Sequence, residues 1–335
     1  MNAQKTEASN LLAYPSVKSK GEGNKGGIGR FFAKYGIYVA FAMLFLILSF
    51  TSESFLTTSN LLNILRQVSI IGIVAIGMSF VIITGGIDLS VGSVMALSAV
   101  VAASFAQADL NHALYIPIFM GMIVGLACGI FNGVLIAKWK VTPFIATLGM
   151  MTAARGMAMV YSDGRPVIGL SDGYNNIGSG SFLGLPIPVI TFLLVVLVGI
   201  FLLHFTIFGR HVFATGGNEQ SAKLSGVHVT NIKISVYAIV GLLSGVAGIV
   251  LSSRIMSGSP VLGQGYELDA IAAVVIGGTS LFGGVGSIVG TLMGVLIIGV
   301  MNNGLDLLNV SSYYQQIFKG AIIIIAVLLD KKNHE

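Results

Sequence analysis

The sequence predicts an all-α polytopic membrane protein with about ten transmembrane helices. Apolar residues make up 55% of the chain and charged residues only 9%, whereas ordinary soluble domains carry about 45–50% and about 25%. The mean hydropathy of +0.90 points the same way. A soluble fold would need far more charge to cover its surface. The basic residues form no single binding face, so the composition also speaks against nucleic acid as a partner.

The first 34 residues are polar and carry six Lys and Arg, which predicts a flexible cytoplasmic tail over 1–34. The first apolar run lies too deep in the chain for a cleaved signal and lacks a small-residue cleavage site. A membrane domain over 35–332 and a short tail over 333–335 follow. Since a span needs about 20 apolar residues, the predicted spans are 35–52, 67–84, 90–107, 114–137, 143–161, 187–205, 234–253, 267–280, 287–305 and 316–329.

The distribution of positive charge predicts the orientation of these spans. With a cytoplasmic amino terminus, 13 of the 18 Lys and Arg fall in the inner segments, and only Arg66, Arg165 and Arg254 fall in the outer ones. Cytoplasmic loops carry the excess of Lys and Arg, so this orientation is favoured. The outer segments 162–188 and 254–266 are rich in Gly, Ser, Asn and Pro, which predicts irregular surface loops.

Glycine recurs every fourth residue in the fourth and ninth spans, at 121–133 and at 286–294. Small residues on one helix face let backbones approach closely in lipid, so these positions indicate helix packing. A second pattern is a weak internal similarity between TGGIDLSVGSVMAL (84–97) and IGGTSLFGGVGSIVGTL (276–292). It predicts two related halves, each with a broken helix, as in many transporters.

Four acidic residues lie within or at the edge of spans: Asp88, Glu267, Asp269 and Asp306. Ionisable groups are costly in lipid and tend to mark a water-lined path or a buried pair. Each also has a structural interpretation. Asp88 can cap the third helix, Glu267 and Asp269 can favour the dipole of the eighth, and Asp306 lies near the outer end of the ninth.

The inner segment 208–233 contains NEQSAKLSG, which has the pattern of one short helix. Asn218 is a good N-cap, Glu219 is in the first turn, Lys223 is in the last turn and Gly226 ends it. So short a helix is unstable alone in water. It must dock, either on the rest of its own chain or on a partner.

The chain contains no recognisable catalytic site. In GEGNKGGI (21–28), Gly27 and Ile28 stand where a phosphate-binding loop requires Lys and Ser or Thr. The five His residues are scattered, and no metal-binding motif is present. We therefore expect no enzyme activity, no metal and no cofactor in this chain.

Several long stretches resemble the monosaccharide ABC-importer permease family. They are TGGIDLSVGS, TPFIATLGM (142–150), GGNEQSAKLSGV (216–227), GYELDAIAAVVIGGTSLFGG (265–284) and NNGLDLLNVSSYYQ (302–315). The resemblance covers about residues 38–332. It implies a permease domain over 35–332, in the bacterial cytoplasmic (inner) membrane, that imports a sugar. Ribose is the expected sugar, with a galactoside, xylose or allose as alternatives.

The resemblance also implies partners and roles for residues. The partners are a second copy of the chain, cytoplasmic ABC ATPase subunits that bind ATP-Mg, and a periplasmic sugar-binding protein. The segment 208–233 corresponds to the family's coupling loop, so the expected ATPase contacts are Gly217, Asn218, Glu219, Ala222, Lys223 and Gly226.

We also expect Asp88 and Ser90 to lie at a helix break near the cytoplasmic end of the sugar path. Glu267 and Asp269 are further candidates for the path. A proton-coupled secondary transporter, with protons passing Asp88, Asp269 or Asp306, is the alternative from another class.

Overall fold

The structure is a computed structural model that describes residues 27–334, and this part of the chain is almost entirely helical. Its regular structure comprises thirteen α-helices, a 3-10 turn at Ala108–Leu110, and a hairpin of β1 (Ser181–Phe182) and β2 (Leu185–Pro186). The helices are α1 (Gly27–Thr51), α2 (Thr58–Ile83), α3 (Val91–Phe105), α4 (Tyr115–Ala137), α5 (Pro143–Tyr161), α6 (Asp172–Ser179), α7 (Ile187–Phe205), α8 (Ile207–Gly217), α9 (Glu219–Leu224), α10 (Val229–Arg254), α11 (Tyr266–Ile276), α12 (Ile288–Leu307) and α13 (Ser312–His334).

Helices occupy all ten predicted spans. Within residues 27–334, six of them are long and apolar enough to cross a membrane, namely α2, α4, α5, α7, α10 and α12. Helix α3 has 15 residues and α11 has 11, which is short of a full span. The chain is thus a polytopic helical membrane protein, while the count of ten spans and the orientation stay predictions.

The ends of the predicted membrane domain differ from the structure in detail. Residues 1–26 of the predicted tail lie outside the described residues, but 27–34 already belong to α1. Helix α2 begins at Thr58, nine residues before the predicted span, because the Thr57 side chain caps it by accepting from the N–H of Asn60 at 3.4 Å. At the other end, 333–334 continue α13.

Helix α2 forms the centre of the structure. Every residue from Val68 to Thr84 is buried, and helices α7, α10, α11 and α12 pack around it. A helix that is apolar on all sides belongs in such a position.

The two glycine series pack helices together, as predicted. A Cβ on Gly125 of α4 would overlap the carbonyl oxygen of Gly241 on α10, and a Cβ on Gly290 of α12 would overlap that of Gly277. Only glycine allows these backbones to approach so closely. These residues are therefore part of the scaffold.

The prediction of an irregular loop over 162–188 is wrong for its second half, which contains α6 and the hairpin. Tyr174 of α6 is fully buried, and its hydroxyl is 2.7 Å from the Ser252 hydroxyl at the end of α10. The Ser253 hydroxyl donates to the Tyr174 carbonyl at 2.5 Å. Docking on α10 therefore stabilises α6, an eight-residue helix that its polar sequence did not predict.

Candidate functional site

The first helix break lies at residues 84–90, as predicted. Helix α2 ends at Ile83, and Gly85 follows with φ +77°. The N–H of Gly86 donates to the Val81 carbonyl at 3.1 Å, and that of Gly85 to the Ile82 carbonyl at 2.8 Å. These two bonds form a Schellman motif, in which a glycine with positive φ ends the helix. The chain then turns and enters α3 at Val91.

Asp88 and Ser90 are brought together inside this break, and both are buried. One oxygen of Asp88, Oδ1, accepts from the backbone N–H of Ser90 at 2.8 Å and from its hydroxyl at 2.6 Å. The side chain of Asn132, on α4, donates to the Ser90 hydroxyl at 3.0 Å. Asp88 thus holds the residue that precedes α3, and a bond from a neighbouring helix supports it. Sequence analysis missed Asn132, whose position between Gly129 and Gly133 on the packed face of α4 was the available signal.

A second break, at residues 277–287, has the same backbone geometry. After α11 ends at Ile276, Gly278 has φ +85°. Its N–H donates to Val275 at 2.9 Å, and that of Thr279 donates to Val274 at 3.2 Å. The two segments that resemble each other in sequence therefore form the same helix-ending motif. A repeat that extends over two whole halves stays a prediction.

The segment 255–265 is irregular, as predicted, but only part of it is at the surface. Ile255, Met256, Val261 and Gln264 are exposed, whereas Gly258, Pro260 and Gly263 are buried. The segment runs inward beside α3, with Gly258 against Ala99 and Ala103, and with Gly263 against Gly92. These contacts extend from Gly92 to Ala103, or over about 16 Å of α3 at about 1.5 Å per residue. Small residues on α3 allow this approach. Non-helical backbone at membrane depth is stable only where protein or a water-filled cavity surrounds it, so we call 255–265 the re-entrant segment.

Two charged residues meet the re-entrant segment. Arg155 of α5 donates through Nη1 to the carbonyls of Pro260 at 2.6 Å and Leu262 at 2.8 Å. Glu267, in the first turn of α11, accepts from the N–H of Gly265 at 3.3 Å, and its carboxylate lies against Gly92. Glu267 is therefore close to the start of α3, because Gly92 is the second residue of that helix and lies two residues after Ser90. Arg155 lies in the predicted span 143–161, and sequence analysis assigned it no role.

Asp269, the other predicted path residue on α11, has a different environment. It is buried, and its carboxylate forms an ion pair with Lys319 of α13 at 2.8 Å. Asn302 of α12 donates to the same carboxylate at 3.5 Å. Asp306, near the end of α12, accepts from the Gln315 side chain at 2.8 Å. Both acids therefore tie α13 to its neighbours and lie apart from the first break.

The short helix predicted within 208–233 is present as α9. The Asn218 side chain caps it by accepting from the N–H of Ser221 at 2.9 Å. The N–H of Val227 donates to the Ala222 carbonyl at 3.0 Å across Gly226, which has φ +85°. Ala222 is buried against the chain itself, whereas Gly217 and Gly226 have open space beside them. The roles of these residues as ATPase contacts stay predictions.

Glu219 ties α9 to the rest of the chain. It lies between Lys223 of the same helix, at 2.5 Å, and Lys233 of α10, at 2.6 Å. Hydrogen bonds from Lys223 and then from Lys233 lower the pKa of the Glu219 carboxyl to about 2. The carboxylate is therefore charged at any physiological pH and docks α9 on α10.

Comparison with known proteins agrees with this architecture. The family model described as "Branched-chain amino acid transport system / permease component" matches residues 60–327. The chain is 52% identical over 302 residues to the ribose import permease protein RbsC of Bacillus subtilis, covering 90% of this chain and 93% of the relative. The corresponding RbsC of Haemophilus influenzae is 48% identical over 315 residues, or 93% of this chain and 97% of the relative.

A permease named for another sugar is also similar. The L-arabinose ABC transporter permease protein AraH of Azospirillum brasilense is 40% identical over 331 residues, covering 99% of this chain and 96% of the relative. No solved structure matches the chain. The resemblance found in the motifs is confirmed.

Proposed function

The chain belongs to the branched-chain amino acid transport system permease family, and we propose that it is the membrane-spanning subunit of an ATP-driven importer of ribose. The observation that carries this proposal is the similarity to ribose import permeases at 52% and 48% identity over nearly the whole chain. The similarity to L-arabinose and D-allose permeases, at 40% and 41% identity, supports a related sugar as the second candidate. An importer of this kind works in the bacterial cytoplasmic membrane.

In this proposal, cytoplasmic ABC ATPase subunits bind ATP-Mg and drive transport through α9. The inward face of α9 is already occupied, since Ala222 is buried and Glu219 is paired with Lys233. Its outward face leaves Leu224 85% exposed. An exposed apolar side chain at the end of a docked helix suits a partner surface. Gly217, Asn218, Lys223 and Gly226 flank that face.

A second copy of the chain is proposed to complete the sugar path. Arg155 lies twelve residues into α5, about 18 Å along the helix from Pro143. Arg155 binds the carbonyl of Leu262; two residues further along the re-entrant segment Gln264 is exposed, and Glu267 is only partly buried. Polar groups at this depth are costly against lipid. This face therefore suits a water-lined path between two copies, with Arg155, Gln264 and Glu267 along it and Asp88 and Ser90 beyond its inner end.

The test is reconstitution of the chain in proteoliposomes with cytoplasmic ABC ATPase subunits and a periplasmic sugar-binding protein. We expect labelled ribose to accumulate only when both partners and ATP are present. This accumulation is expected to continue when an uncoupler is added. Labelled L-arabinose and D-allose serve as matched substrates. Accumulation by the chain alone would refute the proposal in favour of a secondary transporter. So would uptake that does not require ATP and that an uncoupler abolishes.

A further inference from the structure

The two helix breaks are bonded directly to each other. The N–H of Gly284, in the second break, donates to the carbonyl of Ile83, the last residue of α2, at 2.9 Å. The last carbonyls of a helix have no partner within it, and Gly284 supplies one here. Any displacement of one break therefore acts on the backbone of the other.

Gly216, in the last turn of α8, lies on this hydrogen bond. A Cβ on Gly216 would overlap the carbonyl oxygen of Ile83 and lie 2.6 Å from the nitrogen of Gly284. A Cβ on Gly283 would in turn lie 2.8 Å from the carbonyl oxygen of Gly216. Three backbones thus meet with no side chain between them. A Cβ on Gly217, the next residue, would meet no atom within 4 Å, although a Cβ on Gly284 would lie 2.8 Å from the Cα of Gly217. Of these two neighbouring glycines, only Gly216 therefore has no room for a side chain.

A second contact leads from α9 to the same place. Lys233, which pairs with Glu219 at 2.6 Å, lines a cavity of about 20 Å³ at the first break, together with Thr84, Gly86 and Tyr237. The cavity has the volume of about one water molecule. The ion pair of α9 and the end of α8 therefore reach the first break by separate routes.

We propose that Gly216 is the positioning residue through which movement of α9 reaches both helix breaks. This inference rests on the proposed function, because the ATPase subunits would move α9. Only one residue, Gly217, separates Gly216 from the N-cap of α9. Close-packed backbone has no compressible side chain to absorb a shift, so the shift passes to the Ile83–Gly284 bond and to Asp88 and Ser90 beyond it.

The test uses the complete complex in proteoliposomes, with labelled ribose uptake and ATP hydrolysis measured together. The variant is Gly216→Ala. The matched control is Gly36→Ala, at a helical glycine of α1 where an added Cβ would meet nothing within 4 Å. We expect Gly216→Ala to keep ATP hydrolysis but to lose uptake by about 5- to 150-fold, the usual range of coupling between sites. Gly36→Ala is expected to behave like the wild type. Wild-type uptake by Gly216→Ala would overturn the proposal.

A second measurement decides the matter if Gly216→Ala does not assemble. Hydrogen exchange of the wild-type complex, with and without a non-hydrolysable ATP analogue, is expected to change at 83–86 and 283–285 together with 207–217. No change at the breaks while 207–217 responds would overturn the proposal. A wild-type complex that fails to accumulate ribose contradicts the proposed function instead, so the two failures are distinguishable.

Discussion

The two helix breaks have the same backbone but different side chains. Each starts with a Schellman motif, and in each a side chain accepts the N–H two residues further on. Asp88 accepts from Ser90 at 2.8 Å, and Ser280 accepts from Phe282 at 3.2 Å. Because a hydroxyl makes the bond in the second break, the turn itself does not require a carboxylate. The acid at position 88 therefore needs a reason beyond the turn.

The buried acids near the two breaks also differ in their partners. Asp269, on the helix that leads into the second break, is paired with Lys319. Among the side chains that the structure describes, no Lys, Arg or His forms an ion pair with Asp88. The acid near the second break thus has a partner that ties α13 to α11, and a role of Asp88, Glu267 or Asp269 in the sugar path stays a prediction.

The largest effect is expected from removing the cation that pairs with Asp269. Lys319→Met leaves that buried carboxylate without its partner, and breaking a buried ion pair costs about 3–5 kcal/mol. Thermal unfolding in detergent measures the loss. The double variant with Asp269→Asn removes both charges and is expected to recover most of the stability. A single variant as stable as the wild type would contradict a structural role for the pair.

Replacing Ser280 of the second break by aspartate, the residue at the corresponding position 88 of the first break, tests whether the two breaks are equivalent. Ser280→Asp is expected to lower the free energy of unfolding by about 2.5–3.5 kcal/mol, the cost of an aspartate at the centre of a membrane helix. Ser280→Asn, which is similar in size but neutral, is expected to lose less. Equal stability of the two variants in thermal unfolding would show that the second break tolerates a carboxylate.

Removing the acidic group in the first break separates its two roles. Asp88→Asn keeps an oxygen that accepts from Ser90, so assembly and thermal stability are expected to hold. If the acid serves transport, ribose uptake falls about 10- to 100-fold, equivalent to the 1.5–3 kcal/mol of a hydrogen bond to a charged group. Uptake and ATPase coupling at the wild-type level would show that Asp88 only stabilises the turn and has no role in transport.

The smallest effect is expected at the half-exposed acid of α9, Glu219, which contrasts with the buried Asp88 and Asp269. The pKa of Glu219 falls from its usual 4.5 to about 2, so its stabilising contribution is complete above pH 4.5 and is lost as the pH falls towards 2. Exposed ion pairs contribute about 1 kcal/mol or less. Glu219→Gln should therefore remove a small acid-sensitive component from thermal unfolding curves. An unchanged pH profile in that variant would contradict the ion pairs.

Sequence analysis predicted the features that depend on neighbouring residues. The positions of the helices, the break at 84–90 and the cap at Asn218 follow from local composition and spacing. The contacts that it missed join residues far apart in the chain, such as Asn132 with Ser90 and Lys319 with Asp269. These pairs form only when helices pack, so no local pattern announces them. The same holds for Gly216, whose close approach to Ile83 and Gly284 joins distant parts of the chain.

The re-entrant segment has a consequence for how the chain is built in the membrane. Its carbonyls at Pro260 and Leu262 depend on Arg155, which is synthesised about a hundred residues earlier. Alone, this stretch would bring unsatisfied backbone groups into hydrocarbon. The segment can reach its folded position only after α3 and α5 have been inserted, so its folding is a late step of biogenesis. A correctly folded segment therefore indicates that the earlier helices were inserted correctly.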